Sequence, residues 1–188
     1  MISLYRRIVA QNLLVPVDLI FLWIGVNDVF VKVSWTYPII KRFTQQPWAK
    51  TPEEFTQYYR LILDLLYPLA KKVVTVPPLF IGEDIQNRWN RELDRLSGII
   101  RELSVSRQNV DYLDLRTMAI SRLASKPVSS YVGKSATRIV LDYAMLKDHE
   151  QIAQKSAERG LHFTLDGVHL NSAGAELVVE AFLKIINV

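Results

Sequence analysis

The sequence predicts a three-layer α/β fold in which a parallel sheet is covered by helices on both sides. Short apolar runs bounded by prolines alternate with longer segments whose apolar residues recur at helical spacing. No internal repeat or low-complexity linker interrupts that alternation, as expected of strands joined by helical crossovers. A length of 188 residues, 49% of them hydrophobic and 22% charged, suits a single globular α/β domain.

The elements follow in order. Leu4, Ile8 and Val9 keep a helical spacing up to Leu13, and Pro16 separates this helix from an apolar strand, Leu19 to Ile24. The unbroken apolarity of that strand predicts burial on both faces. An aromatic-rich loop spans Val31 to Lys50. Thr51, Pro52 and Glu54 then form a capping-box start with proline in the first turn, followed by Phe55, Tyr58, Tyr59, Ile62, Leu65, Leu66 and Leu69 on one face. Val73 to Val76 is a β-branched strand ended by Pro77 and Pro78, which cannot continue a central ladder. A helix is expected over Ile85 to Leu103, a strand over Val110 to Leu115 and a short helix near Thr117 to Leu123. Ser125 to Lys134 reads as loop, and Ala136 to Arg159 as helix with Gly160 as its stop. After the loop FTLDGVHLN, Ser172 to Ile186 carries Leu177, Val178, Ala181, Phe182, Ile185 and Ile186 on one helical face.

Charge and composition narrow the function. The net charge of +4 comes from Lys and Arg intermixed with acids, as in RELDRLSGIIREL, which describes a solvated face; no nucleic-acid partner is expected. The absence of cysteine excludes disulfides, thiolate nucleophiles and cysteine-based metal sites. Arg6 and Arg7 precede an apolar stretch in the manner of a signal peptide. Gln11, Asn12 and Asp18 interrupt that stretch and Pro16 breaks it, so no membrane span is expected.

Two loops carry candidate chemistry. Gly25, Asn27 and Asp28 fall at the carboxyl end of the first strand, where ligands sit in parallel α/β sheets. An asparagine amide there can donate to an anionic oxygen, although Asn and Asp are also common turn formers. In Asp166-Gly167-Val168-His169 the carboxylate can fold back onto imidazole Nδ1, leaving Nε2 as a general base. Two other readings stay open: Asp166 and Asn171 cap the terminal helix while His169 packs beneath it, or Asp166, His169 and His162 are metal ligands.

GVND after an apolar strand and DGVHLN before a C-terminal amphipathic helix together resemble blocks III and V of the SGNH (GDSL) esterase and lipase family, with VVTVPPLF and VDYLDL as supporting context. The resemblance implies a flavodoxin-like fold and a serine ester hydrolase acting through an acyl-enzyme, with no cofactor and a small-molecule ester of lipid or acylated carbohydrate as substrate. It makes His169 the general base, Asp166 its orienting partner and Asn27 an oxyanion donor. Gly25 would shape the loop and Asp28 brace it. The aromatic loop with Trp35, Tyr37, Phe43 and Trp48 could line an acyl pocket or stack on a sugar.

The sequence departs from the family pattern at its start. No Gly-Asp-Ser occurs in it, and Ser3 has no apolar strand before it and no room after it for a second strand. Ser129 and Ser130 lie on a loop without such context. The expectation is therefore an N-terminally truncated hydrolase domain lacking its first two strands, its nucleophile and its block II glycine. The chain as it stands would then be a scaffold with two of three triad members, or a non-catalytic binding module. A metal-assisted hydrolase is a weaker alternative.

Overall fold

The computed structural model describes residues 1–11, 16–34, 36–135, 139, 141–142 and 148–186. Two compact units form: residues 1–78 with 92–114, and residues 79–91 with 115–188.

The first unit contains the sheet. Strands β1 (Val17–Trp23), β2 (Ala70–Val76) and β3 (Val110–Tyr112) run parallel in the order β1-β2-β3, with Phe21 opposite Val74 and Val74 opposite Asp111. β2 is central, and its Val73, Val74, Thr75 and Val76 are all buried. Since alternate residues face opposite sides, both faces of the sheet are covered, which is the predicted layering. The Thr75 hydroxyl lies 2.6 Å from that of Ser104, which sets helix α5 (Arg88–Val105) against one of those faces. Strand β1 is less buried than its apolar run suggests. It lies at the edge of the sheet, and of its residues only Leu22 is fully buried, so its apolar run is half-covered rather than enclosed.

Between β1 and β2 come α2 (Val26–Phe30), α3 (Tyr37–Phe43) and α4 (Pro52–Leu66). Helix α4 starts as its sequence dictates: Thr51 Oγ1 accepts the Glu54 N–H at 3.2 Å, and the Glu54 carboxylate accepts the Lys50 N–H at 2.7 Å. Phe55, Tyr59, Ile62 and Leu63 form its buried face. Helix α1 (Ile2–Gln11) packs on it, with Tyr5 edge-on to Tyr58 at 5.8 Å. Leu13 lies outside the described residues. Helix α3 was not expected within the aromatic loop.

The second unit is built from helices α6 (Leu115–Leu123), α7 (His149–Glu158) and α8 (Ser172–Ile186) with the loops between them. Asn87 decides where α5 begins: its Oδ1 accepts the N–H groups of Trp89 and Asn90, both at 2.9 Å, so the helix starts at Arg88 rather than Ile85. The third strand is likewise shorter than its apolar run, because Leu115 already opens α6. Asp148 caps α7 through the Gln151 N–H, and the chain leaves that helix through Gly160 at φ 66°, the stop the sequence predicts. Most of the helix expected over 136–147 lies outside the described residues. Among the described residues no helix is long and apolar enough to cross a membrane.

Candidate active site

In the first unit, β1 delivers the chain to Gly25 at the end of the sheet. Gly25 sits at φ 119°, and a Cβ there would lie 3.3 Å from the Phe55 ring, so the turn into α2 requires glycine. Asp28 is buried, and its carboxylate accepts the Ala49 N–H at 2.7 Å, bracing the loop. Asn27 projects outward from this base. The Tyr37 hydroxyl donates to Asn27 Oδ1 at 3.0 Å, which fixes the amide plane and turns Nδ2 the other way. Burial, aided by the charge of Asp28, raises the Tyr37 pKa, so the phenol remains a donor.

In the second unit, residues 161–171 fold into a tight loop. Thr164 and Leu170 form an antiparallel bridge, Leu165 N–H donates to His169 O at 2.8 Å, and Asn171 N–H donates to Phe163 O at 3.1 Å. The tip turns at Gly167, φ 91°, where a Cβ would sit 3.1 Å from both Gly82 Cα and Tyr131 O. Positive φ and backbone crowding both demand glycine there. Gly82 N–H donates to Gly167 O at 2.7 Å, and Gly133 N–H to Asp166 O at 2.7 Å.

Within that loop the buried Asp166 carboxylate divides its two oxygens. Oδ1 accepts the N–H groups of Val168 (2.9 Å) and His169 (2.8 Å), while Oδ2 meets His169 Nδ1 at 2.8 Å. His169 itself is 61% exposed, so Nε2 is directed away from the carboxylate toward the open side. The hydrogen bond from Asp166 raises the imidazole pKa, burial opposes it, and the carboxylate charge adds to the rise. Burial alone would raise the Asp166 carboxyl, but the hydrogen bond and charge of His169 with the two backbone N–H groups hold it below the usual carboxylate range.

These contacts separate the three sequence readings of the loop. Asn171 does cap α8, accepting the Gly174 N–H at 3.0 Å, but Asp166 does not join it and His169 does not pack beneath the helix. His162 is turned elsewhere, with Nε2 3.0 Å from Pro127 O. Among the described residues no group of three His, Asp or Glu side chains is placed to hold a metal.

Sequence reasoning missed two supports. One is Tyr37, placed in a possible acyl pocket but found holding Asn27. The other is Glu83, a buried carboxylate that accepts the N–H groups of His162 (2.7 Å), Phe163 (2.8 Å) and Thr164 (2.9 Å) and the Thr164 hydroxyl (2.8 Å). Thr164 Oγ1 in turn accepts the Gly167 N–H at 3.1 Å, so Glu83 reaches the tip of the His169 loop through one side chain. Its only signal in the sequence is an acid directly after the apolar run Leu79 to Gly82. Asn90 anchors that run, accepting the Ile81 N–H at 3.0 Å and donating to Asp84 O at 2.8 Å.

The serines weighed earlier do not enter either loop. Ser3 lies on α1, and Ser129 donates to Arg159 O at 2.7 Å while Ser130 is exposed. Trp48 is half-buried, and Trp35 lies outside the described residues.

Each unit thus holds one candidate side chain, a pinned, outward asparagine in the first and a carboxylate-oriented histidine in the second. The family model for GDSL-like lipase/acylhydrolase matches residues 3–182, and the chain belongs to that family. No curated protein matches it. Among solved structures, a catalytic mutant of Axe2, an acetylxylan esterase from Geobacillus stearothermophilus, is 19% identical with a TM-score of 0.59, over 95% of this chain and 61% of that one. Another Axe2 mutant, described as an acetyl-xylooligosaccharide esterase, gives 19% and 0.60 over 96% and 62%. LAE5, an α/β hydrolase from the metagenome of Lake Arreo, Spain, gives 18% and 0.61 over 96% and 66%. At these identities the likeness is one of fold. The chain spans a little over three fifths of the Axe2 chains.

Proposed function

We propose that this chain supplies the general base and one oxyanion donor of a serine ester hydrolase. The contact between Asp166 Oδ2 and His169 Nδ1 carries the reading, because it fixes the imidazole with Nε2 free to take a proton. In the reaction a serine hydroxyl passes its proton to Nε2 as its oxygen bonds to the ester carbonyl carbon, and Asp166 stabilises the imidazolium. Asn27 Nδ2 donates to the carbonyl oxygen as it gains charge. His169 then protonates the leaving alcohol, and the same steps with water release the acid and regenerate the serine. Catalytic mutants of Axe2 replace a serine, an aspartate or a histidine, the last two three positions apart, the spacing of Asp166 and His169 here.

In this reading both units belong to one hydrolase domain, and the nucleophile lies in a Gly-Asp-Ser block outside residues 1–188, which contain none. The acetylxylan esterase neighbours support an acetylated carbohydrate as substrate, ahead of a lipid ester. The same missing motif favours a second reading, a non-catalytic binding module of this fold. A fluorophosphonate probe separates the two. The 188-residue chain should not label, whereas a protein extended upstream through a Gly-Asp-Ser block should label at that serine and lose labelling in His169→Ala. Labelling of a serine within residues 1–188 would overturn the assignment of the nucleophile. An extended protein that never labels would leave the binding module.

A further inference from the structure

Arg159 is a buried cation that the proposed chemistry does not use. It lies at the end of α7, directly before Gly160, yet its side chain is only 5% exposed. One guanidinium nitrogen, Nη2, pairs with the Asp142 carboxylate at 2.7 Å, and the other, Nη1, donates to Leu165 O at 2.9 Å. The group also lies over the Tyr131 ring, 4.9 Å from its centroid. A buried ion pair contributes little to stability once desolvation is counted, so the pairing with Asp142 does not by itself account for an arginine here. The planar fork does hold a carboxylate and a carbonyl at once, which a lysine ammonium on its flexible stem would not do in one fixed geometry.

That carbonyl belongs to the peptide directly before Asp166. The peptide directly after it is held as well, because Asp166 O accepts the Gly133 N–H at 2.7 Å. With both flanking peptide planes fixed, the two soft dihedrals of Asp166 are fixed too, and with them the direction of its side chain. Arg159 supports the second restraint in addition to making the first. Its own carbonyl accepts the Ser129 hydroxyl at 2.7 Å, the Ser129 oxygen accepts the Tyr131 N–H at 3.3 Å, and the guanidinium covers the Tyr131 ring. These contacts steady the segment that delivers Gly133. All of these residues lie in the second unit.

We infer that Arg159 is the positioning residue of the Asp166–His169 pair. It holds the Asp166 backbone from both sides, and through it keeps Oδ2 at 2.8 Å from His169 Nδ1, so that the imidazole stays in the tautomer with Nε2 open. The role rests on the general-base reading of His169, but its geometric content is legible in the ring alone, without turnover.

A nitrogen-detected NMR titration of the His169 ring in the folded 188-residue chain tests it. Arg159→Met keeps an unbranched stem and removes both donors. The ring should then titrate below its native value, toward about 6.5, and its neutral form should show both tautomers instead of the one protonated at Nδ1. If the unpaired Asp142 unfolds that variant, Asp142→Asn with Arg159→Met removes the stranded charge and should give the same result. Asp148→Ala uncaps the far end of α7, and should lower stability while leaving the ring unmoved. An unchanged ring in the folded Arg159→Met protein would overturn the inference. So would an equal shift in Asp148→Ala, which would mark a general loosening of the unit. Asp166→Asn separates this from the reading beneath it: a ring that moves in Asp166→Asn but not in Arg159→Met removes the positioning role alone, and a ring that moves in neither removes the general-base reading as well.

Discussion

The two loops that carry the candidate residues, one in each unit, are held in different ways. The Asn27 loop is held within the first half of the chain, by a glycine turn, a buried Asp28 that reaches Ala49 and one phenol contact from ten residues away. The His169 loop is held from a distance, by Glu83 some eighty residues earlier and by backbone contacts from Gly82 and Gly133. The His169 ring keeps one nitrogen in register with a carboxylate, and four bonds to Glu83 fix the backbone on which that register depends. The Asn27 amide has only its plane to be set, and one hydroxyl does that.

This contrast can be broken most severely at Gly167. Alanine there must adopt a positive φ and push its Cβ to 3.1 Å from two backbone atoms. The expected cost is about 2 kcal/mol or more, read as a lower denaturation midpoint. A Gly167→Ala protein of unchanged stability would show that the loop has more room than its contacts indicate.

Glu83→Gln comes next. The amide nitrogen must replace one oxygen, setting a donor against donors and leaving a buried N–H unpaired, at about 1–3 kcal/mol. Hydrogen exchange at His162, Phe163 and Thr164 should accelerate while α4 in the first unit keeps its protection. Uniform acceleration through both units would make Glu83 a general stabiliser instead of a loop support.

Tyr37→Phe should have the smallest effect on stability, below about 1 kcal/mol, because a partly exposed neutral hydrogen bond is lost and Asn27 can turn to water. Its consequence should appear in the Asn27 side-chain amide resonances, which sharpen toward those of a freely rotating amide. Unchanged resonances would mean that Tyr37 does not hold the donor.

What the sequence made legible follows the same division. Local signals succeeded: Thr51 announced α4, Gly160 ended α7, and Asp166 stood three residues before His169, a spacing short enough for one loop to bring them to 2.8 Å. Distant supports left no pattern. Glu83 reads as a surface acid until the fold brings Thr164 to it. Helix α3 was hidden because Ile39, Ile40 and Phe43 face water, so no apolar periodicity pointed inward. The apolar run of β1 suggested full burial because apolarity alone does not distinguish a central strand from an edge strand.

The pairing of His169 with Asp166 also sets a pH window. The raised imidazole pKa means its contribution to stability is present below the ordinary histidine value and fades as pH rises through the raised one. The lowered carboxyl pKa means the Asp166 contribution is present above the ordinary aspartate value and fades as pH falls through the lowered one. In the proposed reaction the imidazole must accept a proton, so His169 would become competent as pH rises through its raised pKa.

The most direct test of that pairing is an NMR titration of the His169 ring in the native chain and in Asp166→Asn. The native ring should titrate above the ordinary value of about 6.5, and the variant should titrate lower, having lost the carboxylate's charge and hydrogen bond. A native ring that titrates at or below the ordinary value, and does not move in Asp166→Asn, would contradict the assignment of His169 as a carboxylate-oriented base.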